Sequence, residues 1–163
     1  MRKIFLTIGF ALYAANAFAI TGFYKTIDDS TGNPRSIVAL YTYEDLIGGR
    51  IVALFDEDGN ISETILAPSR QARRVTGTPH IAGLDIIWGV HADDTTRRGG
   101  RIMDPQSGSI YRVTIREDGD TLRVRGSLGP IGRTQTWHVV SVGDLPAELQ
   151  GLDKSGWVPV ARD

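Results

Sequence analysis

The chain has 163 residues, of which 41% are hydrophobic and 23% charged, so it fits one globular domain rather than a disordered or membrane-spanning polypeptide. Eighteen basic and nineteen acidic residues give a net charge of −1, which predicts no basic footprint for nucleic acid or acidic lipid. Nineteen glycines and seven prolines favour short strands joined by turns. Cysteine is absent, which excludes disulfides and a thiol-linked lipid.

The first nineteen residues have the pattern of a cleaved signal peptide. Arg2 and Lys3 precede an apolar run over 4–15, and Ala17-Phe18-Ala19 supplies the small-x-small site that signal peptidase reads. Twelve apolar residues are few for a hydrocarbon core of about 30 Å, which argues against an uncleaved anchor. We therefore expect cleavage after Ala19 and a soluble protein in the periplasm or outside the cell.

Period-two alternation and turn residues predict eight strands in the chain that follows. They cover 22–28, 36–43, 50–55, 82–91, 101–104, 110–117, 121–128 and 133–140. The links are short, with a tight hairpin turn at Asp118-Gly119 and a turn over 105–108. The polar stretch 56–79 carries no predicted strand, although unstructured loops of that length are uncommon.

Eight short strands in meander order predict an all-β fold, a single antiparallel up-and-down barrel over 20–140 with a C-terminal tail over 141–163. Closure removes the exposed edges of a sheet. Leu122 and Val124 alternate with Arg123 and Arg125, so each strand has one apolar face, which we expect to point inward. A β-sandwich would show the same alternation, and periodicity alone leaves both architectures open.

Several short motifs follow one another within 22–140. Their residues are Asp104, Pro105, Gly108, Tyr111, Arg125, Gly126, Gly132, Arg133, Thr134, Gln135 and Trp137. In this order they resemble an exported bacterial family called domain of unknown function 2147. The family is similar to the calycins, which are lipocalin-like barrels, and this implies a closed barrel here. It implies no activity. The chain departs from the family in having Tyr24 where a Trp is common and no cysteine pair in 56–79.

Gly22-Phe23-Tyr24 is also similar to the Gly-x-Trp start of lipocalins, in which an Arg near the end of the barrel covers the aromatic ring. Arg133 begins the last predicted strand and is the candidate for that Arg. The resemblance implies a closing contact between Arg133 and Tyr24, with a ligand or partner contact by Arg133 as the alternative.

A barrel of eight strands is either filled by its own side chains or wide enough for one small ligand. The residues expected to line such a pocket are Trp88, Tyr111, Tyr41, Leu84, Ile86, Val113, Leu122 and Val124. These apolar side chains suit a small apolar or lipid-like ligand. The alternative is a packed barrel that serves as an interaction or structural module of the cell envelope.

Signals for an enzyme are weaker. His80, His91 and His138 stand apart in the sequence, and no metal site or cofactor is predicted. Asp28, Asp29 and Asp104 end strands, and a carboxylate pair at a barrel mouth is suited to acid–base chemistry. An Asp at a turn more often accepts bonds from local backbone amides, so we assign no catalytic residue.

The tail carries an apolar cluster that a disordered segment would lack. Asp144 is a candidate cap for a helical turn that Gly151 ends, and Trp157 follows with two valines. We expect Trp157 to dock on the outer wall of the barrel, with a barrel mouth or a partner protein as the alternatives.

Overall fold

The computed structural model describes residues 20–92 and 96–162. Nine strands form within these residues: β1 (Gly22–Ile27), β2 (Pro34–Tyr43), β3 (Leu46–Phe55), β4 (Ile61–Thr64), β5 (Asp85–His91), β6 (Arg101–Met103), β7 (Ile110–Asp118), β8 (Thr121–Leu128) and β9 (Ile131–Val140). A 3₁₀ turn (Val142–Asp144) and a short helix α1 (Ala147–Gln150) follow. All eight predicted strands are present. The predicted signal peptide lies outside the described residues.

Eight of the strands close into an antiparallel barrel, as predicted. Each of β1, β2, β3, β5, β6, β7, β8 and β9 pairs with the next in this order, and β9 returns to β1. At this closure Phe23 lies opposite Val140 and Lys25 opposite His138. Two separate sheets would leave this pairing unmade, so the sandwich alternative is excluded. The fourth strand, β4, pairs with β3 through Ala53 and Thr64, and it is not one of the eight strands of the closed barrel.

The stretch 56–79, for which no strand was predicted, contains β4 and is held together by Glu63. This carboxylate is buried and accepts hydrogen bonds from the Ser69 amide (2.6 Å), the Ser69 hydroxyl (3.0 Å) and the Arg70 amide (2.9 Å). Arg70 Nε also donates to it. Burial alone would raise the pKa of Glu63, but the bonds from Arg70 and Ser69 outweigh burial and lower this pKa to about 2.

Buried hydrophobic side chains from the strands around the barrel pack into one cluster inside it. Leu40, Gly49 and Ile87 lie side by side on β2, β3 and β5, and a Cβ added to Gly49 would lie 3.0 Å from Leu40 Cδ2 and 3.1 Å from Ile87 Cβ. We call this cluster the inner core; its largest fully buried side chains are Leu40, Ile47, Ile51, Ile87, Ile115, Leu122 and Trp137. The centre of the barrel is therefore occupied by packed hydrophobic groups.

A second cluster, the outer core, lies between the outside of β1–β3 and the C-terminal tail. It contains Phe23, Ile37, Ala39, Val52 and Ala53 from the strands, together with Leu145 and Leu149 from the tail. Trp157 packs against this cluster, so it docks on the outer wall. The helix cap differs from the expectation: Pro146 is the N-cap of α1, and Gly151 ends it.

The barrel has two ends, which we name by their tight turns. The Gly119 end carries the β7–β8 turn, the β2–β3 turn and the start of β1. The Gly129 end carries the β8–β9 turn, the β6–β7 turn and the long segment between β3 and β5. Among the described residues, no helix has the length and apolar character needed to cross a membrane.

Candidate functional site

A pocket of about 280 Å³ opens at the Gly119 end of the barrel. We call it the mouth pocket; it is lined by Tyr24, Glu117, Gly119, Thr121, Leu122 and Val139. A second pocket, of about 370 Å³, is formed by loop residues that include Ser69 and Arg70, both of which are bonded to Glu63. The mouth pocket is lined by two members of the inner core, Tyr24 and Leu122.

Strand register places the mouth pocket on the inner face of the barrel. Residues directly opposite each other in an antiparallel pair share a face. Leu122 lies opposite both Glu117 and Trp137, and Trp137 belongs to the inner core. Tyr24, also in the inner core, lies opposite Val139 across the closure. The site thus depends on closure, which brings β1 beside β9.

Arg97 places a buried positive charge beside Glu117. Its backbone pairs with Ile115, with N···O distances of 3.1 and 2.9 Å, and its side chain is buried. Arg97 Nη1 lies 3.7 Å from a carboxylate oxygen of Glu117. The Glu117 side chain is 45% exposed, so its carboxylate faces both Arg97 and solvent.

Tyr24 places a neutral phenol beside this carboxylate. Burial raises the pKa of Tyr24, the negative charge of Glu117 raises it further, and Arg97 partly opposes both. The hydroxyl therefore stays protonated over the physiological range. The mouth pocket combines a hydroxyl, an accessible carboxylate and two apolar side chains, Leu122 and Val139.

The structure places the eight predicted pocket residues in different surroundings. Leu84, Ile86, Val113, Leu122 and Val124 are buried together in the inner core. Of these, Leu122 also reaches the mouth pocket. Tyr111 is half-buried and lies opposite Ile102. Trp88 lies at the edge of the inner core and Tyr41 on the outer wall.

Trp88 does not follow the inward-facing residues of β5, because this strand is irregular. The register between β3 and β5 shifts twice around Gly49, so strict alternation does not hold along β5. Strict alternation with Ile86 and Trp88, both predicted to line the pocket, would turn Ile87 outward, but Ile87 is in the inner core. Trp88 is half-buried at the edge of the inner core and lies opposite Arg101, which is exposed.

Tyr41 lies on the outer wall, beneath the tail. Its hydroxyl donates to Asp85 (2.8 Å), which also accepts bonds from Arg50 Nε (2.8 Å) and from the Val160 amide (3.0 Å). The ring of Trp157 stands edge-on to Tyr41, with 5.2 Å between the centroids. Tyr41 therefore helps to hold the tail rather than facing the barrel interior.

Arg133 and Tyr24 lie at opposite ends of the barrel. The expected contact between them is therefore not made. Val139 lies opposite Tyr24, and six residues along β9 correspond to about 20 Å. Arg133 instead bonds to Asp29, with N···O distances of 2.7 and 2.6 Å. The arginine near Tyr24 is Arg97, which the sequence pattern did not single out.

The comparisons with known proteins agree with this architecture. A family model described as an uncharacterized protein conserved in bacteria, domain of unknown function 2147, matches residues 22–139. The chain belongs to this family. Among solved structures, protein HP1028 from Helicobacter pylori, described as belonging to the lipocalin family, matches with a TM-score of 0.60 and 17% identity over 74% of this chain and 82% of that chain. This likeness shows a lipocalin-like fold. No curated protein matched the chain.

The first set of family motif residues builds the turn between β6 and β7. Asp104 accepts a bond from the Gln106 amide (2.9 Å) and one from the Ser107 hydroxyl (2.9 Å), and both donors follow Pro105 in the turn. Gly108 has a φ of +73°, and a Cβ there would lie 2.4 Å from the carbonyl oxygen of Arg74. This turn supports the long segment between β3 and β5.

The second set packs β8 against β9. A Cβ at Gly132 would lie 2.7 Å from Arg125 Nη2, so Gly132 gives that guanidinium its space. Arg125 lies opposite Thr134, while a Cβ at Gly126 would touch Ile102 and Tyr111. Trp137 Nε1 donates to Gln135 Oε1 (3.3 Å). In this structure these motif residues make packing contacts.

The carboxylates considered for acid–base chemistry form local bonds at the Gly129 end. Asp28 accepts bonds from Ser30 and Thr31, and these bonds, chiefly those of Ser30, lower the pKa of Asp28 to about 2. Asp29 pairs with Arg133. Within residues 20–92 and 96–162, no three His, Asp or Glu side chains are grouped to hold a metal ion.

Proposed function

We propose that this protein binds a small, mainly apolar molecule that carries a hydrogen-bond donor, and that the mouth pocket is its site. The observation that supports this is the placement of an accessible carboxylate, Glu117, and a neutral phenol, Tyr24, beside the apolar Leu122 and Val139. Ligand sites are commonly apolar clefts with a few polar groups that fix orientation.

The size of the pocket limits the ligand. Pockets for drug-sized ligands usually span about 300–1,000 Å³, and the mouth pocket has about 280 Å³. Beneath it, Leu122 and Trp137 are almost fully buried in the inner core. A long acyl chain would have to displace these side chains, so we propose a ligand of one or two rings.

The charges of the pocket favour a donor over an anion. Glu117 faces Arg97 on one side at 3.7 Å and solvent on the other. An N–H group of a ligand in the pocket would add a charge-assisted bond to this carboxylate. An anionic ligand would instead meet the repulsion of Glu117. The likeness to a lipocalin-family protein agrees with a barrel that holds one small ligand.

Export remains part of this proposal. Ile20, the residue that cleavage after Ala19 would leave first, is buried in the inner core. Expression in a bacterial host, followed by intact-mass measurement of the released protein, tests it. We expect a chain of 163 − 19 = 144 residues that begins at Ile20.

Binding can be tested by nuclear magnetic resonance titration with indole, which has one N–H donor on a two-ring apolar body. Benzofuran is the control because its oxygen replaces that N–H in a ring system of the same shape. We expect indole to shift the amide signals of Gly119, Leu122 and Val139, and benzofuran to bind about tenfold more weakly.

Two tryptophan substitutions provide the matched variants. Val139 and Val142 are similarly exposed, at 55% and 51%, but only Val139 lines the mouth pocket. Val139→Trp should fill the pocket and abolish the indole shifts, whereas Val142→Trp should leave them unchanged. Shifts that map elsewhere, or equal losses in the two variants, would overturn the proposal.

A further inference from the structure

The outer face of β6–β8 is strongly positive, although the chain as a whole is not. Arg101 lies opposite Arg112, and Arg116 lies opposite Arg123. Arg125 is the diagonal neighbour of Arg112, because Arg112 lies opposite Ser127, two residues further along β8. All five side chains are exposed. We call this set the arginine face.

Such a face needs a partner of opposite charge. Like charges directly opposite each other destabilise an antiparallel pair of strands. Here two arginines face each other in this way at two pairs of positions. An anionic surface laid against the arginine face would relieve this repulsion. Composition alone predicted no such footprint, because a net charge near zero conceals charges that are separated in space.

Strand β8 of this face ends in an exposed apolar turn at the Gly129 end, which joins it to β9. Leu128 and Ile131 lie opposite each other across Gly129-Pro130, and their exposed fractions are 69% and 79%. We call Leu128 and Ile131 the apolar tip. The arginine face reaches the base of this tip, because Arg125 Nη2 would lie 2.7 Å from a Cβ at Gly132, one residue beyond Ile131.

We propose that the arginine face and the apolar tip dock together on an anionic phospholipid bilayer. The guanidinium groups would bind lipid phosphates, and Leu128 and Ile131 would enter the boundary between headgroups and acyl chains. Two aliphatic side chains on a protruding turn suit a bilayer, which accepts them without a preformed pocket. Trp88, which lies opposite Arg101, adds an aromatic ring of the kind enriched at membrane interfaces.

This inference goes beyond the proposed function and is independent of it. The mouth pocket lies at the Gly119 end and the apolar tip at the Gly129 end. The arginine face is on the outer face of the barrel, whereas the mouth pocket is on the inner face, so the two sites use different residues.

Co-sedimentation with lipid vesicles tests the inference. The vesicles are phosphatidylcholine alone and phosphatidylcholine with 30% phosphatidylglycerol. We expect binding only to the anionic vesicles, falling at least tenfold between low and high salt. Arg112→Gln combined with Arg125→Gln, and Leu128→Ser combined with Ile131→Ser, should each weaken binding about tenfold.

Matched controls remove the same groups elsewhere. Lys25→Gln with Arg35→Gln removes two positive charges from β1 and β2, and Val158→Ser with Val160→Ser removes two exposed aliphatic groups from the tail. Both control pairs should bind as the parent does. Equal sedimentation with neutral and anionic vesicles, or none at low salt, would overturn the proposal. Unchanged binding of the Leu128/Ile131 variant together with equally tight binding to soluble polyphosphate would also overturn it, because the face would then recognise a soluble polyanion.

Discussion

Arg50 and Trp157 join the barrel wall to the C-terminal tail. The guanidinium carbon of Arg50 lies 4.5 Å from the centre of the Trp157 ring, while its Nε and Nη2 donate to Asp85 at 2.8 and 2.9 Å. The Val160 amide donates to the same carboxylate. Asp85 thus fixes the cation on which the indole ring packs, and a buried ion pair is coupled to tail docking.

Removing the ring should therefore destabilise the whole protein. We expect Trp157→Ala to lower the free energy of unfolding by about 2–3 kcal/mol, through lost packing on the outer core and lost contact with Arg50. Val158→Ala, at a side chain that is 64% exposed, is the control and should change it by less than about 0.5 kcal/mol. Urea denaturation measures both. Equal midpoints for Trp157→Ala and the parent would mean that the tail is not part of the folding unit.

Glu63 should make part of the stability depend on acid pH. Its pKa is about 2 in the folded protein against an ordinary value of 4.5, so its contribution is present above pH 4.5 and is lost as the pH falls toward 2. We expect Glu63→Gln to be less stable than the parent by about 2 kcal/mol at pH 6, with the gap closing near pH 2.5. Denaturation at the two pH values measures the gap. A gap of constant size would show that the charge of Glu63 contributes nothing.

Gly108 should tolerate no side chain. Alanine there meets both the positive φ and the carbonyl oxygen of Arg74 at 2.4 Å, so we expect a loss of about 3 kcal/mol. Gly32 has a similar φ of +75° but open space around its Cβ position, and Gly32→Ala should cost only about 1 kcal/mol. Thermal unfolding compares the two variants. Similar losses of stability in the two variants would mean that the close contact with the Arg74 carbonyl oxygen contributes nothing to the loss at Gly108.

The pKa of Tyr24 should be raised first by burial and further by the negative charge of Glu117. Its raised pKa keeps the phenol neutral in the folded protein; this contribution to stability is present below pH 10 and is lost as the pH rises above it. Absorbance at 295 nm follows tyrosine ionisation, and Tyr24→Phe identifies the step. We expect Glu117→Gln to move this step toward pH 10, while Glu148→Gln, an exposed control on α1, leaves it in place. If the step does not move in Glu117→Gln, the charge of Glu117 has no effect on the ionisation of Tyr24.

The strand order was predictable from the sequence because its signals are local. Alternation such as Leu122 and Val124 against Arg123 and Arg125 depends on neighbours within one strand, and Asp118-Gly119 marks its own turn. The inward face of β5 was not predictable. Its two register shifts arise from pairing with β3 around Gly49, residues that are distant in sequence.

The candidate site was only partly predictable, for the same reason. Glu117 continues the inward alternation of Val113 and Ile115, so its position on the inner face follows from the pattern. Arg97 lies in the connection between β5 and β6, where periodicity gives no direction, and only the folded chain brings it to Glu117. The resemblance to lipocalins suggested Arg133 for Tyr24, but β9 carries Arg133 to the Gly129 end.

A crystal structure of the protein soaked with indole would show directly whether the mouth pocket binds a small molecule. We expect density for one indole in the mouth pocket, with its N–H directed at the Glu117 carboxylate and its ring against Leu122 and Val139. Val139→Trp crystals soaked in the same way should lack that density. Indole bound only elsewhere, or an empty mouth pocket in soaked parent crystals, would contradict the claim that this barrel binds small molecules at its Gly119 end.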